Sequence, residues 1–144
     1  MSGGPSEPRD RRIVWLQVVL TVVLGYALVL VLAGSAAESL FSAFGFGPPD
    51  SAGGAAREYL RLPVMVLGAV LAGWSLLMLQ VVRGPLRDGL PWAWSFLVRS
   101  LALWFVLDTG MSLVLGFPAH ALFNVPFALA LGIPLAGLRP SRDR

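Results

Sequence analysis

The stretch from Trp104 to Leu135, WFVLDTGMSLVLGFPAHALFNVPFALALGIPL, decides the fold. In its middle, Leu115-Gly116-Phe117-Pro118 reads as a helix stop followed at once by a helix start. Glycine suits the left-handed position just past a helix, and proline suits the first turn of the next one. The flanking apolar segments are therefore two antiparallel helices joined by a tight turn. Asp108, Ser112 and Gly116 recur at every fourth position and share one face of the first helix. Asn124, Ala128, Gly132 and Ala136 do the same on the second. Small residues at this spacing let backbones approach closely, so the two stripes are expected to face each other.

Outward from the hairpin, the rest of the chain is built of similar stretches. About 20 apolar residues in a helix cross a hydrocarbon layer about 30 Å thick. Four segments qualify, at residues 13–33, 60–82, 91–115 and 118–138. Lipid offers no partners to backbone polar groups, so each must be a helix. The apolar run of 13–33 is longer than the core of a cleaved signal, which marks it as a retained anchor. The expected fold is an all-α, polytopic four-transmembrane-helix bundle, with a short arm (1–12), an outer loop (34–59) and a short tail (139–144).

Composition agrees with this reading. The chain has 144 residues, 56% hydrophobic and 13% charged, with a mean hydropathy of +0.74. A soluble domain carries about 25% charged residues, which a chain this small needs to cover its surface. There is no cysteine, which removes disulfides, zinc–thiolate sites and iron–sulfur clusters. All 11 basic residues are arginine, as in proteins encoded by GC-rich genomes.

The arginines also set an orientation. Arg9, Arg11 and Arg12 precede the first span, Arg83 and Arg87 lie in the second loop, and Arg139, Arg142 and Arg144 follow the last span. Only Arg57 and Arg61 lie on the other side, so both termini are expected in the cytoplasm of a cell with a plasma (inner) membrane. The net charge of +3 thus reflects topology and implies no nucleic acid. In the outer loop, Leu40, Phe41, Phe44 and Phe46 either lie along the membrane surface or cap the bundle from outside.

Of eight acids, only Asp108 falls inside a span. By helix rise it lies about 12 Å from the turn, with Ser112 about 6 Å and Asn124 about 9 Å from it. The Asn124 amide is expected between the Asp108 carboxyl and the Ser112 hydroxyl, with Tyr26 joining from the first helix at similar depth. Thr109 is expected to bond its own helix backbone. An intramembrane acid marks a functional site by default, and desolvation favours its protonated form. The plainer reading makes this cluster interhelical glue.

Toward the cytoplasmic side, Arg99, Gln17 and Gln80 are expected to form a looser polar layer. Arg99 there either snorkels to the interface or holds an anionic group. His120, the only histidine, lacks neighbouring carboxylates at metal spacing and is assigned to structure, so neither metal nor cofactor is expected. Trp15, Trp92 and Trp94 fall at the expected cytoplasmic boundary, where indole belts sit. Trp74 and Trp104 are assigned to packing or lipid contact, and Pro126 and Pro134 to bends in the fourth helix.

The pattern W-F-x-x-D-T-x-x-S-x-x-x-G over residues 104–116, then N-x-x-F over 124–127 and I-P-L over 133–135, resembles a family of small uncharacterised four-helix bacterial inner-membrane proteins. The resemblance covers about the last third of the chain. It implies the fold and the membrane and carries no function.

Three functions are compatible with these residues. The first is a non-enzymatic accessory or partner subunit, associating with a membrane-protein partner or with further copies of itself. The second is a small oligomeric transporter or proton-coupled carrier using Asp108. The third is an intramembrane enzyme on a lipid-like substrate, with Asp108 as acid–base group and Arg99 holding an anionic moiety.

Overall fold

The computed structural model of the protein describes residues 7–32 and 54–140. Among the described residues are four α-helices: α1 (Glu7–Leu32), α2 (Gly54–Val81), α3 (Pro91–Val114) and α4 (Pro118–Ala136). A single turn of π-helix, Val82–Leu86, links α2 to α3. Each helix is long and apolar enough to cross a membrane, and the described residues contain no strand. The protein is an all-α bundle of four such helices. α1 starts ahead of the apolar run, so Arg9, Arg11 and Arg12 are helical. α2 starts at Gly54 and continues through Pro63. Leu40, Phe41, Phe44 and Phe46 lie outside the described residues.

The two junctions flanking α3 have the same construction. At the hairpin, Gly116 has φ +80°, its N–H donates to Leu113 O at 3.1 Å, and Phe117 N–H donates to Ser112 O at 2.7 Å. Before α3, Gly89 has φ +79°, its N–H donates to Leu86 O at 3.1 Å, and Leu90 N–H donates to Pro85 O at 2.9 Å. Both are paired-bond caps built on a left-handed glycine. In each, a proline two residues later (Pro91 or Pro118) starts the next helix, where its missing N–H costs nothing. Each turn of direction is therefore short and locally encoded.

Buried positions on α1 are Ile13, Leu16, Leu20, Val23, Ala27 and Leu30, at alternating steps of three and four. On α4 they are Ala121, Asn124, Leu131, Pro134 and Leu135, with Leu138 just beyond its end. Ala121, Asn124, Leu131, Leu135 and Leu138 fall on the same rhythm, with the half-buried Ala128 between Asn124 and Leu131. Steps of three and four are the spacing of a coiled-coil-like seam. That spacing also explains why Ala136 is exposed. A strict four-residue row gains about 40° per step, so the stripe from Asn124 leaves the interface before reaching Ala136.

α1 packs along α2, and α3 packs along α4. At the end carrying the chain termini, the two pairs share one core: Leu16 and Leu20, Met78 and Val82, Leu97, and Leu131 and Leu135. Toward the hairpin end, a separate small cluster joins Leu30 and Val64, with Tyr26 against it. Burying leucine against leucine gains little over lipid, so close approach and hydrogen bonds carry association. Gly68 shows the close approach, since a Cβ there would lie 2.9 Å from both Ala27 O and Val31 Cγ2.

Four side chains latch the termini end. Arg9 Nη2 donates to Leu86 O at 3.0 Å, and Arg12 Nη1 donates to Gly137 O. Trp94 Nε1 donates to Leu135 O at 2.8 Å, and Trp15 Nε1 donates to Ala130 O at 3.0 Å. Proline at position 134 has no N–H for the carbonyl four residues back, which is that of Ala130. The Trp15 indole satisfies it. Trp74 Nε1 donates to Ser100 Oγ at 3.2 Å and its ring lies 6.5 Å from that of Trp104, linking α2 to α3.

Candidate functional site

The hairpin turn fixes the register of α3 against α4. Asp108 and Asn124 lie eight residues on either side of Gly116, which brings them level. Asn124 Nδ2 donates to Asp108 Oδ2 at 2.6 Å and lies 3.2 Å from Thr109 Oγ1, to which it also donates. His120 Nε2 lies 3.1 Å from the same Asp108 Oδ2. A carboxylate only accepts, so with Asp108 ionised the imidazole proton is on Nε2. His120 and Asn124 are four residues apart and share the face of α4 that meets Asp108.

Ser112 and Thr109 exchange their expected parts. Ser112 Oγ donates to the Asp108 backbone carbonyl at 2.6 Å, one turn back on its own helix. It does not reach the Asn124 amide. Mid-helix serine has this local acceptor always in range, and takes it here. Thr109, expected to bond its own backbone, instead accepts from Asn124 across the interface.

Tyr26 is not part of the cluster. Expected at the depth of Asp108, it packs instead against Leu30 and Val64 in the α1–α2 pair. The polar layer of Arg99, Gln17 and Gln80 does not form either. Arg99 stands two positions from buried Leu97, about 200° around α3, and points away from the core. Gln80 is exposed, and Gln17 is half-buried with its backbone carbonyl accepting from Thr21 Oγ1 at 2.7 Å. Among the described residues no hydrogen bond joins these three. His120 is the member that sequence reasoning placed elsewhere. Its four-residue spacing from Asn124, on a helix whose register Gly116 sets, is the signal that finds it.

The cluster is graded from inside to outside. Asn124 is 2% exposed, while the His120 and Asp108 side chains are 28% and 39% exposed. Oδ2 takes both the amide and the imidazole, while the Asp108 side chain as a whole stays partly open to the outside. The arrangement offers an anchored carboxylate with an adjacent imidazole, which can accept a donor from a partner or exchange a proton. Among the described residues no group of three or more histidine, aspartate or glutamate side chains could hold a metal ion.

No protein-family model, curated protein or solved structure matches this chain.

Proposed function

We propose that the chain is an accessory or partner subunit of a bacterial inner membrane, with both termini in the cytoplasm, that docks another membrane protein through its α3–α4 hairpin. The observation carrying this reading is the exposure of Asp108. α3 has 24 residues and is about 36 Å long, against about 30 Å of hydrocarbon. Asp108, about 9 Å from its C-terminal end, then lies roughly 6 Å inside the apolar layer. A carboxylate there costs up to about 3 kcal/mol if it faces lipid. Leu107 and Met111 beside it are exposed and apolar, which suits a second helix bringing a hydrogen-bond donor to the exposed part of the carboxyl. The cytoplasmic placement of the termini rests on the arginine distribution, and the bacterial inner membrane on the resemblance of residues 104–135.

Photocrosslinking from position 107 or 111 in native membranes tests the docking. The expected result is a crosslink to one defined membrane protein, lost on Asp108→Ala. A chain that crosslinks to nothing and is recovered alone in mild detergent sinks the reading.

The contact of His120 with Asp108 favours a second reading, a proton-coupled carrier working as an oligomer. Proteoliposomes of the wild-type chain would then pass protons, and Asp108→Asn, which keeps an acceptor for Asn124 but does not titrate, would abolish the flux. Equal flux in the two removes this reading.

A further inference from the structure

We propose that the groove between the start of α1 and the end of α4 is a binding site for one anionic phospholipid. The groove measures about 450 Å³ and lies at the termini end, on the flank away from α2 and α3. Its walls change character along their length. Arg11 and Arg12 line one part, and Trp15, Leu129, Ile133 and Pro134 line the rest. Trp15 is one helical turn from the guanidinium groups, at the depth where indoles sit between headgroup and hydrocarbon. Leu129 and Ile133, one turn apart on α4, are 53% and 67% exposed and form an apolar strip for an acyl chain.

The site is built before any ligand arrives. The Arg12 guanidinium is held against the C-terminal end of α4 by its bond to Gly137 O. That carbonyl can be approached so closely because residue 137 is glycine, where a Cβ would overlap the guanidinium. Trp15 is fixed in turn by its bond to the Ala130 carbonyl. A preset Arg12, with Arg11 beside it on the groove wall, above an apolar strip matches a molecule with an anionic phosphate and a hydrocarbon tail. Basic pockets between transmembrane helices select such lipids. A choline headgroup carries its own cation toward Arg11 and Arg12 and loses that advantage.

Native mass spectrometry of the full chain, released from detergent with phosphatidylglycerol or phosphatidylcholine of identical chains, tests this. The expected result is one phosphatidylglycerol held about tenfold more tightly than phosphatidylcholine. Arg11→Gln with Arg12→Gln should bring the two lipids within about twofold of each other. Because Arg12→Gln also removes the bond to Gly137, Ile133→Trp is the independent variant. It fills the groove at an exposed position, leaves both arginines in place, and should lose about as much selectivity. Arg87→Gln, at the same end but outside the groove, should change nothing. Equal binding of the two lipids by wild type overturns the proposal. So does selectivity unchanged by Ile133→Trp, displacement of the lipid by millimolar inorganic phosphate, or a dimer that Ile133→Trp dissolves while phosphatidylglycerol stays bound.

Discussion

Asn124 supports the polar cluster from beneath, bonding Asp108 and Thr109 from a position with 2% exposure. Interhelical hydrogen bonds inside membranes are worth about 0.6 kcal/mol on average and up to about 1.7 kcal/mol. Asn124→Ala is therefore expected to destabilise the α3–α4 pair by about 1–2 kcal/mol, read by unfolding in detergent. Asp108→Asn keeps an acceptor for the Asn124 amide and should leave the unfolding midpoint within about 0.5 kcal/mol of wild type. A loss as large as that of Asn124→Ala would show that the charge itself holds the hairpin. The Asp108–Asn124 contact is legible in the sequence because a tight turn at Gly116 leaves no freedom of register. The exchange between Ser112 and Thr109 is not legible, since each hydroxyl chooses between a local carbonyl and a cross-helix partner over fractions of an ångström. Tyr26 shows a related limit. Depth along a helix follows from counting residues, whereas the direction a residue faces depends on which helix lies alongside.

Among the elements, α4 depends most on its neighbours. Pro134 leaves the Ala130 carbonyl without its helical donor, and Trp15 on α1 supplies one from outside the helix. The two residues should therefore be coupled. Trp15→Phe is expected to cost about 1 kcal/mol in the wild-type chain by orphaning that carbonyl. In a Pro134→Ala background, where the helix satisfies its own carbonyl, the same change should cost little. A double-mutant cycle on unfolding free energies measures the difference, and additive costs would refute the coupling. The sequence shows the prolines and the tryptophans plainly. It does not show that one answers the other, because the contact spans 115 residues of chain. The same holds for Arg9 and Arg12, which read as orientation signals and also bond the carbonyls of Leu86 and Gly137.

For the whole molecule, the arginine distribution predicts which end faces the cytoplasm. The natural chain has no cysteine, so a single introduced thiol reports without background. Arg87→Cys should resist a membrane-impermeant thiol reagent added outside intact cells, and Leu115→Cys should react; both positions are exposed at opposite ends of α3. The reverse pattern would invert the topology. The count of helices and the sites of their turns are legible because hydropathy and glycine–proline punctuation are local. The division of the core is not. It follows from α1 choosing α2 and α3 choosing α4, with all four meeting at the termini end.

The bonds of Arg12 to Gly137 and of Trp15 to Ala130 join the first helix to the last across 125 and 115 residues. During synthesis the first helix enters the membrane long before its partner exists. Until the ribosome has released residue 137, Trp15 and Arg12 face lipid and headgroups without those carbonyls. Closure of the bundle is thereby timed to the synthesis of α4, and a product stopped short of it would display an unlatched first helix.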